Sequence, residues 1–265
     1  MVTVRDVRQK KGDEPVTMLT AYDAPTARIV DEAGVDIALV GDSVGNVRMG
    51  HDTTLPVTLD ESLSHTASVS RGVDEALVVG DMPFGSFGAS VEESVGNASR
   101  YLKEAGADGV KVETPPGTEA TLEPIERAVE LGTPVMGHTG LTPQRIREEG
   151  YGVKGRDDDV AGDILTTARE LEDAGVFSLV LEAVPEGVAE RVTEAVEVPT
   201  IGIGAGRHVD GQVLVTEDLV GFTDTTPSFV KEYADVRSVY EDAVEDFVDE
   251  VDEFPSRGHT FDPVD

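Results

Sequence analysis

Four acidic residues fall where runs of buried-strand character end: Asp42 closes DIALVGD, Asp81 closes ALVVGD, Glu113 closes GVKVE and Glu182 closes FSLVLE. Taken singly, an acid after a strand is as readily a turn residue or helix cap as a ligand. Taken jointly, four strand-end carboxylates in a closed parallel sheet meet at one mouth. Hard oxygen ligands gathered there could hold a magnesium-type cation, with Asp42, Asp81 and Glu113 crowded at successive strand ends and Glu182 left as a base. A carboxylate opposite the ion could take a carbon-bound proton from a chelated substrate.

Two further residues belong to this pattern. Lys111 stands two before Glu113 and so shares its strand face, pointing inward. It could bind a substrate carboxylate or steady a developing oxyanion; the plain alternative is an internal salt bridge. His138, in GHTGLTP at the end of the fifth strand, could orient substrate or shuttle a proton, or serve as a structural donor. The GIGAG run (202–206) lacks the full dinucleotide fingerprint and reads as backbone clearance at the seventh strand end, with phosphate binding the lesser alternative. P-loop and HExxH signatures are missing from the sequence, which removes support for nucleotide hydrolysis.

The elements that must carry these residues are legible as alternation. Candidate strands at 16–20, 35–41, 76–80, 109–113, 133–138, 177–182, 199–203 and 212–216 are separated by helix-period segments at 24–33, 60–71, 90–105, 122–131, 160–174 and 188–195. Asp60 is a plausible cap for the second helix. Such βα repetition predicts an α/β fold, a (β/α)8 TIM barrel in one domain over 1–265. A long amphipathic helix is expected at about 228–253, with Phe229, Val230, Tyr233, Val236, Tyr240, Val244, Phe247 and Val251 at three- and four-residue steps, then a loosely ordered tail beyond Phe254.

Composition narrows the setting. Asp plus Glu number 53 against 21 Lys plus Arg in 265 residues, a formal charge of −32. That field repels duplex nucleic acid and anionic membrane, so neither is an expected partner. The excess runs along the whole chain, and a salt-rich cytoplasm explains it: at molar salt the Debye length falls to about 3 Å and self-repulsion is screened. We therefore expect a halophilic source. The absence of cysteine removes disulfide and thiolate chemistry. MVTVRDVRQKKGDE has no apolar h-region, and no membrane-length apolar stretch occurs, so a cytoplasmic location is expected.

VGDSVGNVRMGHDTTLPVT (40–58), GDMPFGSF (80–87), GADGVKVE (106–113), GHTGLTPQ (137–144), VLEAVP (180–185) and IGIGAGRHVDGQVLV (201–215) resemble the ketopantoate hydroxymethyltransferase family, in order and at family spacing. The resemblance implies a barrel of the phosphoenolpyruvate/pyruvate superfamily. It also implies transfer of a one-carbon unit from 5,10-methylenetetrahydrofolate, or a related pterin, to 3-methyl-2-oxobutanoate, giving 2-dehydropantoate in pantothenate and coenzyme A biosynthesis. By the same resemblance Mg2+ is bound through Asp42, Asp81 and Glu113 and stabilises an enolate. Asp42, Ser43, Asp81 and Lys111 contact the keto acid, Glu182 accepts the proton, and the chain forms a homo-oligomer, a decamer-like ring. The sequence departs from the family pattern at Gly152 and Lys154 of EEGYGVKGR and in TPPG after Glu113, both in loops over the mouth. Two alternatives stand beside this reading: a carbon-carbon lyase of the same superfamily, disfavoured by the lack of cysteine, and a non-catalytic keto-acid-binding barrel, which would not need Lys111 and Glu182.

Overall fold

In each strand, one residue in two must face the barrel interior, and in some strands of this chain those positions end in a polar residue. Leu77, Val79 and Asp81 form one such series, and Gly109, Lys111 and Glu113 the next. The computed structural model, which describes residues 1–224 and 226–251, turns this alternation into a closed parallel barrel in the order β1 to β8. The strands are β1 Val16–Thr20, β2 Ile37–Val40, β3 Leu77–Asp81, β4 Gly109–Glu113, β5 Val135–Gly140, β6 Ser178–Glu182, β7 Thr200–Ile203 and β8 Gly211–Leu214. Closure is made by β8 pairing with β1, Val16 opposite Gly211.

Two apolar layers result. The barrel interior is filled by Val16, Met18, Ile37, Leu39, Leu77, Val79, Met136, Val180, Ile201 and Val213. The opposite faces, among them Ala38, Val40, Val78, Val110, Val112, Leu179 and Leu181, pack with the surrounding helices. Leucine-sized side chains buried this completely contribute about 1.5–3 kcal/mol each.

Helix α1 (Val4–Gln9) was not anticipated from the sequence. A capping box between Thr3 and Asp6 starts it, and Val7 is fully buried in the interior layer. The lysines after it tie the bottom of the barrel: Lys10 Nζ lies 2.7 Å from Asp36 Oδ1, and Lys11 Nζ 2.9 Å from Asp210 Oδ2. The remaining helices are α2 Ala24–Glu32, α3 Val44–Val47, α4 Leu59–Ser70, α5 Val91–Arg100, α6 Leu122–Glu130, α7 Ile146–Glu149, α8 Asp158–Asp173, α9 Glu186–Ala195, α10 Thr216–Leu219 and α11 Val236–Glu250. The cap of α4 is Thr58 rather than Asp60, because Thr58 and Glu61 satisfy each other's backbone N–H groups in a capping box. After α5 the chain widens into a π-helical turn, Tyr101–Ala105, that buries Tyr101 against Gly80, where an added Cβ would overlap the ring.

The chain divides into two compact units, Met1–Thr216 and Glu217–Asp265. In the second, α11 begins at Val236 and not at 228, because Asp235 takes the cap position and accepts from Ser238 N at 3.1 Å. Phe229, Val230 and Tyr233 therefore precede the helix. The expected helix end at 253 and the tail beyond Phe254 lie outside the described residues. No described helix is long and apolar enough to cross a membrane.

Candidate active site at the barrel mouth

The carboxylates anticipated at strand ends arrive at one place. A cavity of about 110 Å³ at the C-terminal ends of the strands is lined by Asp42, Ser43, Asp81, Lys111, Glu113, His138 and Glu182 among others. Asp81, Glu113 and Glu182 are the last residues of β3, β4 and β6. Asp42 stands two residues beyond β2, in a turn that runs directly into α3, and its N–H points to Asp81 Oδ2 at 3.2 Å. His138 lies inside β5 rather than at its end, since the strand continues to Gly140; the register still sets it opposite Glu113. Gly140 sits opposite Glu182 with φ of 101°, and an added Cβ would strike Glu182's carbonyl.

Lys111 is the electrostatic centre of this cluster. Its ammonium is buried, 2.8 Å from Asp81 Oδ2, and donates to His138 Nδ1 at 3.3 Å. Burial works against the charge, but Asp81, Glu113 and Asp42 together outweigh it and raise the lysine pKa. The salt bridge offered as the plain alternative is therefore present, and it is built into the site. Asp42 is pushed up to about 7, by burial first and the Asp81 charge second, with Lys111 and Gln144 pulling it back. Glu113 is raised for the same reasons, burial and then Asp42. His138 is lowered by burial and by Lys111, which keeps the imidazole neutral. Its Nε2 comes within 3.3 Å of Glu182 Oε2, and that carboxylate pulls the imidazole pKa back up against burial and Lys111.

The carboxylates are each held on one side only. Gln144 donates from its side chain to Asp42 Oδ2 at 3.1 Å and from its backbone to Glu113 Oε2 at 3.1 Å. Asp81 Oδ1 and Glu113 Oε1 are buried and have no hydrogen-bond partner. Buried carboxylate oxygens without donors are what a hard cation requires. Among the described residues, no three or more His, Cys, Asp or Glu side chains are placed to hold a metal ion by themselves. Oxygen donors of this kind would fit a hard cation only with further oxygens, from substrate or water, completing its shell.

Gln144, Tyr22 and Tyr151 are parts of this site that strand-end reasoning does not find. Tyr22 OH lies 2.8 Å from Ser43 Oγ and fixes that hydroxyl. The Tyr151 phenol, largely exposed in the loop 150–155, has its pKa raised by burial, then by the charges of Glu182 and Asp42. That loop is tied down where Lys154 N donates to Ala183 O at 2.8 Å. Ala183, directly after Glu182, is left-handed with φ of 47°, a conformation that costs a non-glycine residue about 1–2 kcal/mol. At the seventh strand end, Gly206 packs on Glu186, whose carboxylate faces Arg207 N, so the GIGAG turn gives backbone clearance and offers an acid where a phosphate would need a donor.

A sequence model of the ketopantoate hydroxymethyltransferase family matches residues 1–257. The chain belongs to that family. It is 54% identical over 269 residues to 3-methyl-2-oxobutanoate hydroxymethyltransferase of Haloarcula marismortui, covering 100% of this chain and 99% of the relative. The enzyme of the same name from Thermotoga neapolitana is 49% identical over 264 residues, 98% of this chain and 96% of the relative. Among solved structures, 2,3-dimethylmalate lyase of the PEP mutase/isocitrate lyase superfamily matches with TM-score 0.61 at 15% identity, over 99% of this chain and 93% of that one. Phosphonopyruvate hydrolase, solved with oxalate and Mg2+, gives TM-score 0.61 at 12% identity, over 98% and 90%. These likenesses show the fold, a closed (β/α)8 barrel, as the sequence predicted. Like its relatives in the ketopantoate hydroxymethyltransferase family, the chain is a transferase.

Proposed function

We propose that the protein transfers a hydroxymethyl group from 5,10-methylenetetrahydrofolate, or a related one-carbon pterin, to 3-methyl-2-oxobutanoate. The observation that carries this is the single cavity lined by Asp42, Ser43, Asp81, Lys111, Glu113, His138 and Glu182. Asp42, Asp81 and Glu113 would hold Mg2+, which when bound supplies positive charge to stabilise the enolate form of the keto acid.

The chain's own groups do the rest. Lys111, Asp42, Asp81 and Ser43 seat the keto acid, the ammonium matching its carboxylate. Glu182 takes the proton from C3 and the electron pair passes into the carbonyl; water frees the one-carbon unit at the formaldehyde level, both C–N bonds breaking and the carrier nitrogens taking the water's protons, and C3 then bonds to that carbon while its oxygen takes a proton to become the hydroxyl. Neutral His138, with Nε2 at 3.3 Å, holds the Glu182 carboxylate in place. A positioned base of this kind contributes ~10²–10⁴ in rate. The phosphonopyruvate hydrolase complex with oxalate and Mg2+ supports a cation beside a small dianion in this architecture.

Incubating the protein with 3-methyl-2-oxobutanoate and Mg2+ in D2O at high salt and following the C3 proton by NMR tests the reading. Exchange without donor, and 2-dehydropantoate with it, is the expected result; binding without exchange would leave only a keto-acid receptor. We further propose a homo-oligomer, supported by the exposed Val239, Tyr240, Phe247 and Val248 of α11. Light scattering at high salt checks it.

A further inference from the structure

Among the described residues, three hydroxyl side chains line the cavity at the mouth beside its charged groups: Thr20, Ser43 and Thr54. Two of them are already engaged. Thr20 Oγ1 accepts from Thr216 N at 3.0 Å, and Ser43 Oγ lies 2.8 Å from Tyr22 OH. Thr54 is 4% exposed, and its Oγ1 has no hydrogen-bond partner. A buried hydroxyl without a partner is costly, and a valine would fill the same volume without that cost. The other buried hydroxyls without partners, on Thr139, Thr142 and Ser178, belong to residues that do not line the cavity.

Backbone contacts fix Thr54 in this place. The loop 48–58 leaves α3 and folds back on it, with His51 N donating to Gly45 O at 2.8 Å and Asn46 Nδ2 to His51 O at 3.1 Å. Gly45 permits the approach, since an added Cβ would meet Val57 Cγ2 at 2.8 Å, Thr53 O at 3.3 Å and Thr54 Cα at 3.6 Å. Thr54 O in turn accepts from Val57 N at 3.1 Å as the chain turns towards α4. The hydroxyl therefore reaches the cavity from a βα loop, whereas Asp81, Lys111, Glu113 and Glu182 reach it from the strands beneath.

In the reading above, the charged groups on the strands serve the keto acid: Lys111 matches its carboxylate and Glu182 takes its C3 proton. What the reaction adds is neutral, one carbon with the oxygen that ends as the hydroxyl of 2-dehydropantoate. That oxygen accepts a hydrogen bond on arrival and can also donate one once protonated, and a threonine hydroxyl complements it in both states. We propose that Thr54 Oγ1 hydrogen-bonds the oxygen of the arriving one-carbon unit and then the hydroxyl of the product. It holds the unit for attack by C3 and draws electron density from its carbon, while no bond to Thr54 is made or broken. The inference rests on the transferase reading and adds a contact that the strand-end residues do not supply.

The test uses the full chain with Mg2+ at high salt and compares Thr54→Val, which keeps the shape, with Thr54→Ser, which keeps the hydroxyl. Thr54→Val is expected to slow transfer to 3-methyl-2-oxobutanoate and to weaken binding of 2-dehydropantoate, each by about fivefold or more, as loss of one hydrogen bond does. Its affinity for 3-methyl-2-oxobutanoate and its donor-free exchange of the C3 proton in D2O should stay within about twofold of the parent, and Thr54→Ser should restore transfer. A purely structural hydroxyl would instead move both ligands alike and lower the melting temperature of the ligand-free protein, whereas removing an unpartnered one leaves it unchanged or higher. Product affinity in Thr54→Val within about twofold of the parent, or C3 exchange falling as far as transfer, would overturn the proposal while the transferase reading stands. Absence of C3 exchange in the parent protein would overturn the transferase reading and this inference with it.

Discussion

Replacing Lys111 with methionine should unsettle this protein more than any other single change at the mouth. The side chain is buried, and its ammonium lies 2.8 Å from Asp81 Oδ2 with Asp42 and Glu113 beside it. At an effective dielectric constant of about 20 the pair attracts by roughly 332/(20 × 2.8), or about 6 kcal/mol, before desolvation. Methionine keeps the volume and removes the charge, leaving three carboxylates facing one another in a dry cavity. Breaking a buried pair by removing one partner costs about 3–5 kcal/mol. For a chain of this size that is about 6–20 °C in melting temperature. Calorimetry in 2 M KCl with chelator measures the loss, since salt screens a buried pair weakly. Adding Mg2+ should return part of the stability, because the ion restores positive charge between the same carboxylates. A variant melting within about 4 °C of the parent, with or without metal, would refute the view that Lys111 balances the site.

Two other outcomes concern the frame. Asp210→Asn should cost about 1–3 kcal/mol at pH 7, since Asp210 accepts from Lys11, Thr200 N and Thr200 Oγ1. Burial opposes its charge, but the Thr200 and Lys11 hydrogen bonds outweigh that and hold its pKa below the ordinary value. Its contribution is therefore complete above about pH 4 and vanishes as pH falls through the lowered value, so the gap between variant and parent in a pH series of melts should close on the acid side. Raising KCl from 0.1 to 2 M should raise the parent's melting temperature by about 10 °C or more, given a charge of −32. An unchanged melting temperature would remove the halophilic reading.

Much of this site was legible because parallel strands bury both faces, and a carboxylate ending an apolar run is conspicuous. Asp81, Glu113 and Glu182 stand on the last residues of their strands for that reason. Lys111 followed from the two-residue period of a strand, which also explains why it meets Asp81 across the β3–β4 register. Gln144 escaped because it is a neutral amide in a short 3-10 turn, Pro143–Arg145, 102 residues from Asp42 and 31 from Glu113, and nothing local marks it. Its only signal was its place at the end of GHTGLTPQ, the loop leaving β5. Tyr22 escaped because it stands in the turn after β1, and its partner Ser43 stands in the turn after β2, so nothing local marks the pair. The cap of α4 was misplaced and the start of α11 set too early, because Thr58 and Asp235 compete with neighbours of equal propensity and only the hydrogen bonds they make decide.

The account stands or falls on Glu182 as the group that takes the C3 proton. Glu182→Gln keeps the side chain's size, and the other groups lining the cavity stay in place. In D2O with Mg2+ and 3-methyl-2-oxobutanoate, the variant should bind the keto acid within about twofold of the parent and exchange its C3 proton ~10²–10⁴ more slowly. Exchange at the parent's rate in Glu182→Gln would contradict it.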